Sequence, residues 1–164
     1  MKKTPQVFWG EGMFLRPHHL QTAERYGEEQ LAKEISRIQP FAFGLQSLEV
    51  APDQLENFVF EIREVSVKLK DGTPLSLEST LRLFPRGFQK ELDQAGGRMR
   101  VFLGVPAFRE NAPNAFAPGE GPGGQDRRYV VEAVERSDEN TGGNPQPVSV
   151  KRHNGRLLFG GESR

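Results

Sequence analysis

Apolar and polar positions follow two different periods along this chain, and the change falls near residue 40. From His18 to Ile38, the residues Leu20, Ala23, Gly27, Leu31, Ile35 and Ile38 recur at spacings of three and four, which marks one face of a helix. Glu24, Glu28, Glu29, Lys33, Glu34 and Arg37 fill the other faces, with Glu29 and Lys33 an i,i+4 pair in the favourable order. Pro17 stands at the first-turn position, where its missing N–H is harmless, and Pro40 ends the run. The predicted helix is roughly 31 Å long at ~1.5 Å per residue. Its apolar stripe is expected to pack on a sheet, with self-association as the alternative.

From Phe41 the period becomes two. Phe41, Phe43 and Leu45 share a face, and Leu48 and Val50 follow out of phase by one residue. The next run repeats this, with Phe58, Phe60 and Ile62 in phase and then Val65, Val67 and Leu69 shifted. Such a slip marks a β-bulge or a strand that crosses between sheets. Asp71-Gly72, between Leu69 and Leu75, predicts a tight hairpin. Short strands follow at Leu81–Leu83, Val101–Val105, Tyr129–Val134, Val148–Val150 and Leu157–Phe159, with Asn154-Gly155 read as another hairpin signal. Phe88, Leu92 and Ala95, closed by Gly96-Gly97, predict a short helix within 86–97. Residues 107–127 and 137–147 read as loops. The fold class is therefore mainly β, a β-sandwich with one long N-terminal α-helix. Residues 1–40 form an arm and helix packed on the same domain, and 41–164 form the sandwich.

Composition narrows the function. The 22 Lys+Arg balance 22 Asp+Glu, so the basic excess of a nucleic-acid binder is missing. With no cysteine there is no disulfide framework, Cys-zinc site or Cys nucleophile. No apolar run approaches the ~20 residues of a membrane span, and a cytoplasmic location is the default expectation. The 18 glycines and 12 prolines indicate many turns, which fits strands better than helices.

Candidate chemistry is sparse. Gly119-Glu120-Gly121-Pro122-Gly123-Gly124 satisfies G-x-G-x-x-G, but no strand precedes it and no helix follows, Glu120 repels phosphate and Pro122 lacks a donor. His18 and His19 diverge by about 100° on a helix, so they do not share one metal ion; one is expected to hydrogen-bond near the helix start. Ser137-Asp138-Glu139-Asn140 lacks calcium-loop spacing and reads as a polar turn. No nucleophile motif is present. No enzyme activity, metal or cofactor is expected.

The N-terminal arm stands apart. Phe8, Trp9, Met13, Phe14 and Leu15 concentrate large apolar groups without helix or strand period, with Gly10 and Gly12 between them. Either they tuck into the core or they anchor a partner, because Trp, Phe and Met are enriched at interface cores.

Trp9-Gly10-Glu11-Gly12-Met13-Phe14-Leu15-Arg16-Pro17-His18-His19-Leu20-Gln21 resembles the opening signature W-x-E-G-M-x-L-x-P-Q-H-[FL]-Q of the type VI secretion baseplate subunit family TssK, with His18 in place of the usual Gln. Asp138 to Pro147, with Val150-Lys151-Arg152 and Arg156-Leu157-Leu158-Phe159-Gly160, is similar to a later part of the same region. The resemblance spans essentially the whole chain. It implies the N-terminal domain of a longer protein, and a β-sandwich akin to the shoulder domain of siphophage receptor-binding proteins. It also implies a cytoplasmic homotrimeric adaptor without enzymatic activity. The wedge proteins TssF and TssG are then the partners of this region, while a C-terminal domain contacts the membrane complex. The expected partner-binding residues are Trp9, Met13, Phe14 and Leu15, with Gly12 and Pro17 shaping the arm. A carbohydrate- or ligand-binding β-sandwich of phage receptor-binder type is the alternative.

Overall fold

The computed structural model describes residues 4–117, 126–160 and 162. They fall into two compact units, one of residues 1–44 and 68–73, the other of 45–67 and 74–164.

The first unit is built on α1 (Pro17–Ile38), with Pro17 opening the first turn as its fixed φ favours. The His19 Nδ1 accepts the Arg16 N–H at 3.0 Å, so this histidine caps the helix start, while His18 is exposed. Residues 69–73 form the tight turn that Asp71-Gly72 predicts: the Leu69 N–H donates to the Thr73 carbonyl at 2.9 Å, and Gly72 takes φ +88°. A side chain at Gly72 is excluded twice over, by that φ and by the Ala32 Cβ only 2.9 Å from an added Cβ. The apolar stripe departs from expectation. No residue of α1 is buried, and Leu20, Leu31 and Ile38 are exposed, Ile38 by 85%. The half-covered positions are His19, Thr22, Ala23, Arg25, Tyr26, Glu29, Gln30, Ala32 and Ile35, so of the predicted stripe Ala23 and Ile35 are half-covered. Phe41 and Phe43, expected on a strand, lie before it; their rings meet edge-on at 6.4 Å, with the Lys70 ammonium 5.7 Å from the Phe43 ring centre.

In chain order the remaining elements are β1 (Gly44–Val50), α2 (Pro52–Glu56), β2 (Val59–Phe60), β3 (Ile62–Lys68), β4 (Pro74–Ser76), β5 (Leu81–Arg82), β6 (Arg86–Gly87), α3 (Gln89–Gln94), β7 (Val101–Gly104), β8 (Ala115–Phe116), β9 (Tyr129–Arg136), β10 (Gln146–Asn154) and β11 (Arg156–Phe159). Among the described residues the strands form four small sheets, ordered β1-β3-β4, β5-β10-β9-β8, β11-β7 and β2-β6. The structure is thus mostly strand with one long N-terminal helix. The phase slip near Ile62 is a change of sheet: the chain leaves β2, paired with β6, and enters β3 in another sheet. The slip after Leu45 has no such counterpart, since β1 runs unbroken.

Asn154-Gly155 is not a hairpin. β10 pairs antiparallel with β9, placing His153 opposite Tyr129, and β11 pairs antiparallel with β7, placing Phe159 opposite Val101. Gly155 is therefore the point where the chain passes from one sheet to the next. The expected helix at 86–97 is confined to α3, because residues 86–87 are strand. The loop expected at 107–127 contains β8, paired parallel to β9; the G-x-G-x-x-G run within it lies outside the described residues. The polar turn at 137–145 is held by Asp138, whose Oδ1 accepts from the Thr141 and Asn140 N–H groups and the Thr141 hydroxyl; these bonds hold its carboxyl below the usual range.

Among the described residues every buried hydrophobic residue lies in this second unit: Ala51, Val65, Leu75, Leu81, Phe88, Val130, Leu157 and Phe159. Aromatic rings run through it from Phe58 to Phe88 to Phe159, each pair edge-to-face, at 5.9 and 6.3 Å. The Arg86 guanidinium lies 4.5 Å from the Phe159 ring centre and binds the Leu157 carbonyl at 2.8 Å. It also pairs with both Glu162 carboxylate oxygens, while the Phe159 N–H donates to Glu162 at 3.0 Å.

The Arg86 hydrogen bonds and the Phe159 N–H hold the Glu162 carboxyl at about 2, against an ordinary 4.5. The folded form thus binds this proton more weakly than the unfolded chain. The resulting stabilisation is present in full above about pH 4.5 and is lost as pH falls toward about 2. Because both side chains are about one-third exposed, solvent screening limits its size. Glu162→Gln is expected to cost about 1 kcal/mol at pH 7. The gap in melting temperature between parent and variant should narrow as pH is lowered from 5 to about 2.5. A gap independent of pH contradicts this assignment.

Candidate functional site

The candidate site is the arm, and α1 is the surface that positions it. Thr4 donates from both its N–H and its hydroxyl to the Glu29 carboxylate, at 2.9 and 2.6 Å. Those two bonds hold the Glu29 carboxyl below its usual range. Toward the other end of the helix, the Trp9 ring lies 6.4 Å from the capping His19 ring. Ten helical residues separate the two attachment points, about 15 Å at ~1.5 Å each, and five extended residues span about 17 Å at ~3.3 Å each. Residues 4–9 therefore run extended and antiparallel to the helix, held at both ends.

The chain then reverses. The Met13 N–H donates to the Gly10 carbonyl at 3.3 Å, closing a turn with Gly12 at φ +74°. That conformation at the third position of a turn calls for glycine, which accounts for Gly12. Pro17 then starts the helix.

This path leaves the arm's large side chains outward. Phe8 and Phe14 are 85% and 80% exposed, Trp9 and Leu15 about half exposed, and Met13 is half-buried. None of them is buried. Gly12 and Pro17 are exposed as well. Reading the sequence missed that the stripe Leu20, Leu31 and Ile38, with Phe41 and Phe43, is open on the same unit. The signal was the helical periodicity itself, which shows that a face is apolar but not what covers it.

The rest of the surface offers little chemistry. Among the described residues no three His, Asp or Glu side chains are grouped to hold a metal ion, and no helix is long and apolar enough to cross a membrane.

Comparison with known proteins places this architecture. A chain of the type VI secretion TssK–TssF–TssG baseplate subcomplex, solved by cryo-electron microscopy, superimposes with a TM-score of 0.84 at 22% identity over 99% of this chain and 53% of its own. A crystal structure of TssK gives 0.79 at 24% identity, covering 98% of this chain and 36% of its own. These likenesses show a shared fold. In sequence, the type VI secretion system baseplate component TssK1 of Pseudomonas aeruginosa is 29% identical over 154 residues, 93% of this chain. The chain spans only about a third of that relative's length, 34%. The family described as "Bacterial Type VI secretion, VC_A0110, EvfL, ImpJ, VasE" matches residues 19–164, beginning after the arm. With that match over most of its length, the chain belongs to this type VI secretion family, the TssK family.

Proposed function

We propose that this chain is the N-terminal domain of a non-enzymatic baseplate adaptor, and that its arm docks the wedge proteins TssF and TssG. The observation that carries the reading is the row of outward apolar side chains at Trp9, Phe14 and Leu15, beside half-buried Met13, on a segment tied to α1 at two points. Such a segment has little ordering entropy left to lose on binding, and its aromatic groups supply anchor area. Gly12 and Pro17 set its path. Support for the partners comes from the relatives, since a similar chain was solved within a TssK–TssF–TssG subcomplex. In this reading residues 1–40 pack on a β-sandwich of 41–164, akin to the shoulder of siphophage receptor-binding proteins. The whole protein is then a cytoplasmic homotrimer that helps link the baseplate to the membrane complex.

Phe14→Asp tests the docking. Phe14 is 80% exposed, so the variant should melt within about 0.5 kcal/mol of the parent. It should also lose most co-purification with TssF and TssG from the same organism, as expected when an apolar anchor becomes a desolvated charge. A variant that stays folded and co-purifies undiminished overturns the arm assignment. One that unfolds shows that Phe14 belongs to a core.

A further inference from the structure

The second unit carries an open groove of about 740 Å³. Leu55, Phe60, Leu92 and Val101 supply apolar wall, and Arg98 and Arg100 supply charge. A smaller cavity of about 320 Å³ shares Arg98 and Arg100, so the segment 98–100 runs between the two. The backbone builds this arrangement. Gly96 and Gly97 take φ +67° and +86° just beyond α3, and the Gly97 N–H returns to the Leu92 carbonyl at 3.1 Å. The segment that leaves this turn exposes Arg98 and Arg100 and half-buries Met99 between them.

Charge in this region is unevenly matched. Glu91 and Glu162 are both committed to Arg86. Arg98 and Arg100 have no carboxylate partner among the described residues. Two guanidiniums two residues apart beside an apolar wall complement carboxylates presented next to large apolar side chains. The groove is too open to enclose a small molecule as ligand pockets do. It suits a chain segment that lays side chains along the wall and acids on the rim.

We propose that this groove docks a segment of a partner protein in which Asp or Glu flanks large apolar residues, read by Arg98 and Arg100. The groove is independent of the arm and stands whether or not the arm docks the wedge.

The test pans a random phage-displayed peptide library against the 164-residue chain and measures the enriched peptides by fluorescence polarisation. Enriched sequences should combine Asp or Glu with Leu, Ile or Phe. They should bind the Arg98→Glu/Arg100→Glu variant at least about tenfold more weakly and lose affinity with added salt. Arg98→Lys/Arg100→Lys should keep part of the binding, and Phe14→Asp should keep all of it, which separates this site from the arm. Both arginines are exposed, so the double variant should melt like the parent; if it does not, Arg98→Gln and Arg100→Gln singly take its place. No enrichment, peptides without acids, or undiminished binding to the charge-reversed variant overturns the proposal. So does self-association of the parent that the charge reversal abolishes, because a second copy then fills the groove.

Discussion

Replacing Phe159 with alanine should cost about 3–5 kcal/mol, the range for a buried aromatic truncated to a methyl group. Phe159 is 1% exposed and among the largest fully buried side chains. The ring is held on several sides at once, by Phe88 edge-on at 6.3 Å and by the Arg86 guanidinium at 4.5 Å. Truncation therefore removes buried apolar area, leaves a cavity and takes from Arg86 the face it lies on. Refilling is obstructed, since Arg86 is fixed by Leu157 and Glu162 and cannot swing into the void without breaking those bonds. Against a typical total of 5–15 kcal/mol, such a loss removes much of the stability. Urea unfolding followed by circular dichroism measures it. A cost below about 1 kcal/mol means that the ring does not organise this core.

Gly155→Ala should be the second most damaging change, at about 1–3 kcal/mol, as for overpacking in a tight interior. An added Cβ meets the Leu81 Cδ1 at 2.7 Å, the Arg82 carbonyl oxygen at 3.0 Å and the Leu83 Cδ1 at 3.2 Å. Leu81 is 1% exposed and cannot step aside freely, and Arg82 is backbone already bound by the Gly155 N–H at 2.8 Å. The strain falls where the chain changes sheets, so relief requires parting β10 from β5. A drop of roughly 3–9 °C in melting temperature is expected for a chain of this size. Gly143→Ala, where an added Cβ meets nothing closer than 4.0 Å, should leave the melting temperature near the parent's. Equal melting temperatures for the two variants would refute the packing account.

Both predictions depend on partners that local sequence does not name. Periods and breakers are local, and features that depend on them were legible: α1 with Pro17 in its first turn, the Asp71-Gly72 turn, and the strands around Val101 and Tyr129. The pentapeptide helix α2 was missed because five residues are too few for a helical period to show. Asn154-Gly155 misled for a deeper reason. The dipeptide signals a sharp change of direction, and a crossing between sheets needs that as much as a hairpin does. Only the pairing of β11 with β7 separates the two, and that partner lies far back in the chain. The arm shows the same limit. Its apolar content, Gly12 and Pro17 were readable at once, but its outward orientation depends on Thr4 reaching Glu29 and Trp9 reaching His19. Neither contact leaves a periodic trace.

The crossing at Gly155 also bears on how the protein is made. Contacts that seal the second unit join residues 71 to 76 positions apart, Arg86 to Leu157 and to Glu162, and Thr80 to His153. Closing so long a loop must precede any gain from it, which slows folding. On the ribosome, Leu81 and Phe88 emerge well before Phe159, a wait on the order of 4–15 s at ordinary elongation rates. During that interval the nascent chain exposes the side chains that the finished fold hides most completely. The exposure to aggregation is thus greatest in the half-synthesised chain, before β11 has been translated.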